Sequence, residues 1–277
     1  MQRALAEDLG VLGDLTATLV PPDATVSATV SVRGEGVLAG RLCAAEAFAA
    51  VDPSIVVSWS AADGDRLRGG QTIATVQGSL ASVLTAERTV LNLLGHLSGI
   101  ATLTRRYADA AGPTTRIRDT RKTTPGLRAL EKAAVRAGGG VNHRGSLSDG
   151  ILVKDNHLAG LPIGDLVAAA RARWPGQSVE VECDTLDQVR VALSAGADMV
   201  LVDNMAPAQV AEAVALVSGA VPVEVSGGVT LDTVAAYAAA GADLISVGAL
   251  THSAPVLDIG LDLVASGDGP HRFPQER

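Results

Sequence analysis

Two rhythms of apolar residues run along this chain, and the change between them divides it. From Thr25 to Val32 polar and apolar positions alternate, and Ile55–Ser60 and Arg66–Gln77 are two further β-type runs. A helix near Leu42–Val51 lies between the first two, and Met1–Asp23 reads as a short helix and loop. Leu80–Ala111 is then a long helical stretch. Val83, Leu84, Val90, Leu91, Leu94 and Leu97 recur there at helical spacing, and Ser98-Gly99 is a candidate break. From Thr115 onward short β-branched runs alternate with helices. Strands are predicted at Thr115–Thr120, Ile151–Lys154, Val179–Cys183, Met199–Asp203, Val221–Ser226 and Leu244–Gly248. Helices are predicted at Leu127–Ala137, Ile163–Trp174, Leu186–Ala195, Pro207–Val217 and Leu231–Ala240. The later strands recur every 20 to 25 residues or so, the repeat of right-handed βαβ units. Six strands fall short of eight, so the pattern predicts an incomplete α/β barrel.

Composition narrows this further. The chain has 277 residues, 47% of them apolar and only 2% aromatic. Its core must therefore be aliphatic, which suits helices on a parallel sheet. One large domain or two moderate ones fit this length. A net charge of −8 and the near absence of stacking aromatics argue against a nucleic-acid partner. Cys43 and Cys183 are too few for a disulfide framework and are expected to be buried. No charge-free apolar run approaches membrane-spanning length, and the N-terminus lacks a basic-then-apolar signal. A cytoplasmic protein with no membrane partner is the expectation.

Charge is not spread evenly. Residues 115–157 carry nine Lys and Arg against four Asp and Glu, so +5 locally and −13 elsewhere. All three lysines, Lys122, Lys132 and Lys154, lie in this stretch. A cationic island in an acidic protein points to an anionic ligand, against the plainer reading of a solvated basic helix face. Barrel chemistry sits at the C-terminal ends of strands. Those ends read, in order, Arg121 and Lys122, Lys154, Glu182, Asp203, Ser226-Gly227-Gly228 and Gly248. Arginines suit carboxylate or phosphate forks, and lysines suit point-charge contacts. Glycines let backbone N–H groups approach a phosphate, and Ser226 adds a hydroxyl. Glu182 and Asp203 offer oxygens suited to Mg²⁺, although Glu182 could equally be a rim ion-pair partner. Glu180 shares the strand parity of Glu182 and supports it. His143 can donate to a carboxylate or cap the glycines before it. His252 lies beside the last glycine loop, and His96, without a companion motif, reads as structural.

The segments Arg118-Asp119-Thr120-Arg121-Lys122-Thr123-Thr124-Pro125-Gly126-Leu127-Arg128, Gly138-Gly139-Gly140-Val141-Asn142-His143-Arg144 and Lys154-Asp155-Asn156-His157 closely resemble the quinolinate phosphoribosyltransferase family. So do Ala86-Glu87-Arg88-Thr89, Leu97-Ser98-Gly99-Ile100-Ala101-Thr102, Ser226-Gly227-Gly228 and Val247-Gly248-Ala249-Leu250-Thr251-His252-Ser253. The resemblance covers essentially the whole chain. It implies a type II phosphoribosyltransferase: an N-terminal α/β sandwich over 1–102, joined by the tail 263–277, and a six- or seven-stranded α/β barrel over 103–262. It implies transfer of phosphoribosyl from 5-phosphoribosyl-1-pyrophosphate (PRPP) to quinolinate, giving nicotinate mononucleotide, pyrophosphate and CO₂. On that pattern Arg121, His143, Arg144 and Lys154 bind quinolinate, with Arg88 supplied by the neighbouring subunit of a homodimer or larger oligomer. Lys122, Ser226, Gly227, Gly228, Gly248 and His252 bind PRPP. Lys122, Lys154, Glu182 and Asp203 are the implied catalytic groups, and Glu182 and Asp203 the implied Mg²⁺ ligands, directly or through water. Glu7-Asp8-Leu9-Gly10 and Gly13-Asp14-Leu15-Thr16 resemble the family's opening, with a shortened helix before them and a weaker dimer edge implied.

Three other readings compete. Asp63–Gln71 looks like a lipoyl-type hairpin, but no acceptor lysine precedes Lys122. A homologue linked to molybdenum transport resembles the same family but generally lacks an intact Lys-Asp-Asn-His segment, which is complete here. A silent anion sensor would not need both Glu182 and Asp203.

Overall fold

The structure is a computed structural model that describes residues 1–158 and 160–264. Residue contacts separate Met1–Ser98, with the chain from Val256, from Gly99–Pro255.

The first unit contains strands β1 (Thr25–Val32), β2 (Gly36–Val37), β3 (Val56–Trp59), β4 (Arg66–Leu67) and β5 (Thr72–Ser79). Its helices are α1 (Gln2–Leu9), α2 (Arg41–Val51) and the first part of α3 (Leu80–Ala111). A strand near the end of the described chain, Ile259–Leu263, pairs antiparallel with β1, so the sheet runs from that strand through β1 and β5 to β3. The period-two pattern of β1 buries Ala28, Val30 and Val32. They pack with Ala44, Ala47 and Phe48 of α2 and with Val83, Ala86, Val90 and Leu94 of α3. The single run expected over Arg66–Gln77 is two strands. Gly70, at φ 79°, closes a turn in which Gln71 N–H donates to Arg68 O at 3.0 Å. No break occurs at Ser98-Gly99. The Ser98 hydroxyl is engaged with the Ala39 backbone, accepting from its N–H at 3.0 Å, and α3 continues unbroken. Chain return to this sheet begins by Ile259; the expected tail 263–277 lies, beyond Val264, outside the described residues. Cys43 is half-buried rather than buried, whereas Cys183 is buried.

In the second unit the strands are β6 (Arg116–Arg118), β7 (Ile151–Val153), β8 (Val179–Cys183), β9 (Met199–Asp203), β10 (Val223–Ser226) and β11 (Leu244–Ser246), the strand at Ile259–Leu263 being β12. All neighbours are parallel in the order β6-β11-β10-β9-β8-β7. Val141 adds a parallel bridge to Arg118. The result is the incomplete α/β barrel. Helices α4 (Arg128–Ala137), α5 (Asp155–Leu158), α6 (Ile163–Arg173), α7 (Leu186–Ser194), α8 (Pro207–Val217), α9 (Val234–Ala239) and α10 (Ala249–His252) intervene. Helix starts follow local chemistry: Thr185 and Gln188 form a capping box on α7, and Pro207 opens α8. Strand parity sorts the side chains. Val179, Val181 and Cys183 of β8 alternate with Glu180 and Glu182, and Val223 and Val225 of β10 with Glu224 and Ser226. No helix among the described residues is long and apolar enough to cross a membrane.

Candidate active site

Register places the polar parity of each strand beside that of the next. Leu152, Glu180 and Met199 are aligned across β7, β8 and β9; Glu182, Leu201 and Glu224 across β8, β9 and β10; and Asp203 beside Ser226. The strand ends open into two adjoining cavities. Arg121, Lys122, His143, Arg144, Lys154, Glu182, Asp203 and Ser226 share the lining of a cavity of about 410 Å³. Lys122, Asp203, Ser226, Gly227, Gly228, Gly248 and His252 line its neighbour, about 380 Å³. Lys122, Asp203 and Ser226 belong to both. The quinolinate, PRPP and metal candidates named from the sequence border one or both cavities except Arg88, which lies in the other unit and is exposed on α3; the supporting Glu180 lines neither.

The cationic side is held by its loops. Arg128 donates to Thr123 Oγ1 (3.0 Å), to Gly145 O (3.0 Å) and to Arg121 O (3.5 Å), tying the loop of Arg121 to that of Arg144. Arg144 donates to Gly150 O at 3.3 Å. The buried Arg121 Nε has no acceptor among the described residues. Burial, and next the Arg121 guanidinium, lower the Arg144 pKa, while Glu180 raises it. A guanidinium whose charge is disfavoured by burial and by its neighbour, together with the unused Arg121 Nε donor, is an arrangement that can accept an anion. Lys154 Nζ pairs with Glu182, whose side chain is 9% exposed.

On the other side, Gly227 and Gly228 have φ 96° and 60°, a turn that presents backbone rather than side chain. A Cβ at Gly248 would lie 3.0 Å from Lys122 Cδ and 3.2 Å from His252 Nε2, so a side chain there would press on both. Thr251 Oγ1 donates to Lys122 O at 2.8 Å and anchors that loop.

Beneath the cationic side lies a charged layer that the sequence reading did not assemble. Arg118 of β6 pairs with Glu224 and lies 4.0 Å from Glu180. Ser246 donates to Glu224. His143 Nδ1 accepts the Arg144 N–H at 2.7 Å, so Nε2 is the protonated nitrogen; it lies 3.2 Å from Glu180 and 3.7 Å from Glu224. Its imidazole is therefore engaged with buried carboxylates while also bordering the cavity. The signal was present: Glu in alternation with Val inside strands too apolar to face water. Parity singles out Glu180, and the sequence offers His143 as a donor to a carboxylate; Glu224 carries the same alternation on β10.

Burial raises the pKa of both Glu180 and Glu224, Glu180 adding to the rise at Glu224. Burial also lowers His143 to about 4 from 6.5. A base with a depressed folded pKa binds its proton more readily when unfolded, so its contribution to stability falls as pH drops from 6.5 towards 4. The raised carboxylates act in the opposite sense, losing stability as pH rises. His143→Gln is thus expected to flatten the acid-side loss. Denaturant midpoints of wild type and variant at pH 7 and pH 4.5 measure this, and equal losses would contradict it.

Comparisons with known proteins agree along the chain. Residues 14–98 match the model described as "Quinolinate phosphoribosyl transferase, N-terminal domain", and residues 100–262 match its C-terminal domain counterpart. The nicotinate-nucleotide pyrophosphorylase [carboxylating] of Mycobacterium leprae is 45% identical over 272 residues, covering 95% of each chain. The probable enzyme of that name from Bacillus subtilis is 42% identical, covering 95% of this chain and 91% of its own. The solved nicotinate-nucleotide pyrophosphorylase of Francisella tularensis superposes with a TM-score of 0.91 at 38% identity, covering 95% of this chain and 94% of that one.

Proposed function

The chain belongs to the quinolinate phosphoribosyl transferase family, and from that premise we propose how its own residues carry the reaction. It transfers phosphoribosyl from PRPP to quinolinate with decarboxylation, giving nicotinate mononucleotide, pyrophosphate and CO₂ in NAD biosynthesis. One observation supports the residue roles above the rest: Arg121, Arg144 and Lys154 share a cavity with Glu182 and Asp203, and that cavity adjoins the glycine loops.

Quinolinate carries two adjacent carboxylates. Arg121, Arg144 and Lys154 neutralise and orient them, with His143 beside them. The 5-phosphate of PRPP lies on Ser226, Gly227, Gly228 and Gly248, near His252, and its pyrophosphate near Lys122 and Lys154. The ring nitrogen attacks C1 as pyrophosphate leaves. Positive charge growing at C1 is stabilised by Glu182 and Asp203, so the protein contributes positioning and fixed charge. The cationic, N-alkylated ring stabilises the electron pair left on C2 as its carboxylate departs as CO₂, and that carbanion then takes a proton from water to give the C2–H of nicotinate mononucleotide.

Mg²⁺ fits the donor set. Glu182 and Asp203 border one cavity and offer oxygens, the preference of a hard cation that keeps waters and substrate phosphates as further ligands; Glu182 also carries the Lys154 ammonium, so contact through water suits it best. They would hold it, and it would neutralise pyrophosphate charge. The protein is cytoplasmic and acts as a homodimer or larger assembly in which Arg88 enters the neighbour's site. That placement rests on the family resemblance and on the exposure of Arg88.

A steady-state assay of nicotinate mononucleotide and pyrophosphate formation tests the function; tight ligand binding without turnover would favour an anion sensor. Mixing inactive Arg88→Ala subunits with inactive Lys122→Ala subunits tests the sharing. Hybrids should regain some activity if Arg88 acts across the interface. Mixtures that stay inactive would place its action within one chain.

A further inference from the structure

Asn204 follows Asp203 directly and holds φ 55°, one of two non-glycine residues with positive φ among those described. Few side chains adopt this region without strain, and Asn is one of them. The residue is locked there by three neighbours. Its N–H donates to Ser226 O at 2.9 Å. Its Nδ2 donates to Asp203 Oδ2 at 2.6 Å. Its side chain lies against Gly227, where a Cβ would overlap Asn204 Oδ1 and fall 2.8 Å from Asn204 N. Asn204 also borders the cavity of the glycine loops.

We propose that Asn204 is a positioning residue for PRPP: it fixes the rotation of the Asp203 carboxylate and shapes the Ser226-Gly227-Gly228 loop at once. In this left-handed turn the amide lies against the preceding residue, Asp203. With Oδ2 engaged by the amide, rotation of the carboxylate is restrained and its other oxygen is left for a ligand of the cavity it borders. The same amide fills the space a side chain at residue 227 would need. Residue 227 is therefore glycine for two reasons, its own φ of 96° and the volume taken by Asn204. The carboxylate and the phosphate loop are set by one side chain, so they are spaced for one ligand carrying both a ribose and a phosphate. This inference rests on the assignment of Asp203 to the PRPP side.

Asn204→Gly separates the two contributions of the residue. Glycine keeps the backbone conformation and deletes the amide. Asn204→Asp keeps shape and turn preference but replaces the donor with a like charge. Calorimetric titration with PRPP and Mg²⁺, and separately with quinolinate, gives the readout, with Asp203→Ala measured alongside. Asn204→Gly is expected to weaken PRPP roughly ten- to hundredfold, the effect of losing a hydrogen bond to a charged group. Asn204→Asp should weaken it at least as much, while quinolinate affinity stays within about twofold in both variants. Thermal melting checks that the fold is kept. If Asp203→Ala abolishes PRPP binding and Asn204→Gly leaves it unchanged, this inference fails alone. If Asp203→Ala has no effect, the assignment of Asp203 fails and takes the inference with it. Equal loss of both substrates would mean a general structural role for Asn204 and would also overturn it.

Discussion

Lys132→Met is expected to lower the stability of the barrel unit by about 3–5 kcal/mol, a large share of the margin of most domains. Lys132 is 6% exposed and Asp119 is not exposed at all, and the two form an ion pair. Lys132 Nζ also donates to His143 O at 2.9 Å. Asp119 accepts the His143 N–H at 2.8 Å and an Asn142 amide hydrogen. Deleting the ammonium leaves a buried carboxylate without its counter-charge, and that residual charge, more than the lost attraction, destabilises the fold. Lys132→Met with Asp119→Asn should therefore lose less than Lys132→Met alone. Urea unfolding followed by circular dichroism reads both. A single variant within about 1 kcal/mol of wild type would mean that the pair is better solvated than its burial implies.

Arg144→Ala and Arg121→Ala are expected to lower kcat/KM for quinolinate by about 30- to 1,000-fold each, the equivalent of roughly 2–4 kcal/mol per charge-assisted contact. The loss should concentrate in quinolinate binding and leave the KM for PRPP little changed. The physical reason lies in the pair. Burial and the neighbouring guanidinium both disfavour charge on Arg144, so an anion placed between the two cations relieves their repulsion and gains forked hydrogen bonds. Arg144→Lys should recover only part of the loss, because an ammonium restores charge but not the fork. Near wild-type kcat/KM in either alanine variant would remove these residues from the substrate site.

Much of the architecture was legible because it is written locally. β1, β8, β9 and α8 fall on the predicted residues, since period-two or helical spacing and an opening proline or glycine act within a few positions. The single strand drawn over Arg66–Gln77 and the break suggested at Ser98-Gly99 are where local reading gave way. Gly70 turns the first, and the Ala39 backbone engages the Ser98 hydroxyl that marked the second. Strand ends were readable for the same local reason, and Arg121, Lys122, Lys154, Glu182, Asp203 and Ser226 do meet at one cavity.

By itself, then, the sequence determined the succession of elements, the cationic island and the set of residues at the strand ends. Only the tertiary structure decided what lies between those ends: Arg118 against Glu224, His143 turned onto Glu180, and Asn204 folded back between Asp203 and Gly227. A side chain's parity along its strand is a property of a few neighbouring residues. Its partner across the barrel depends on register and closure, which are set by every strand together.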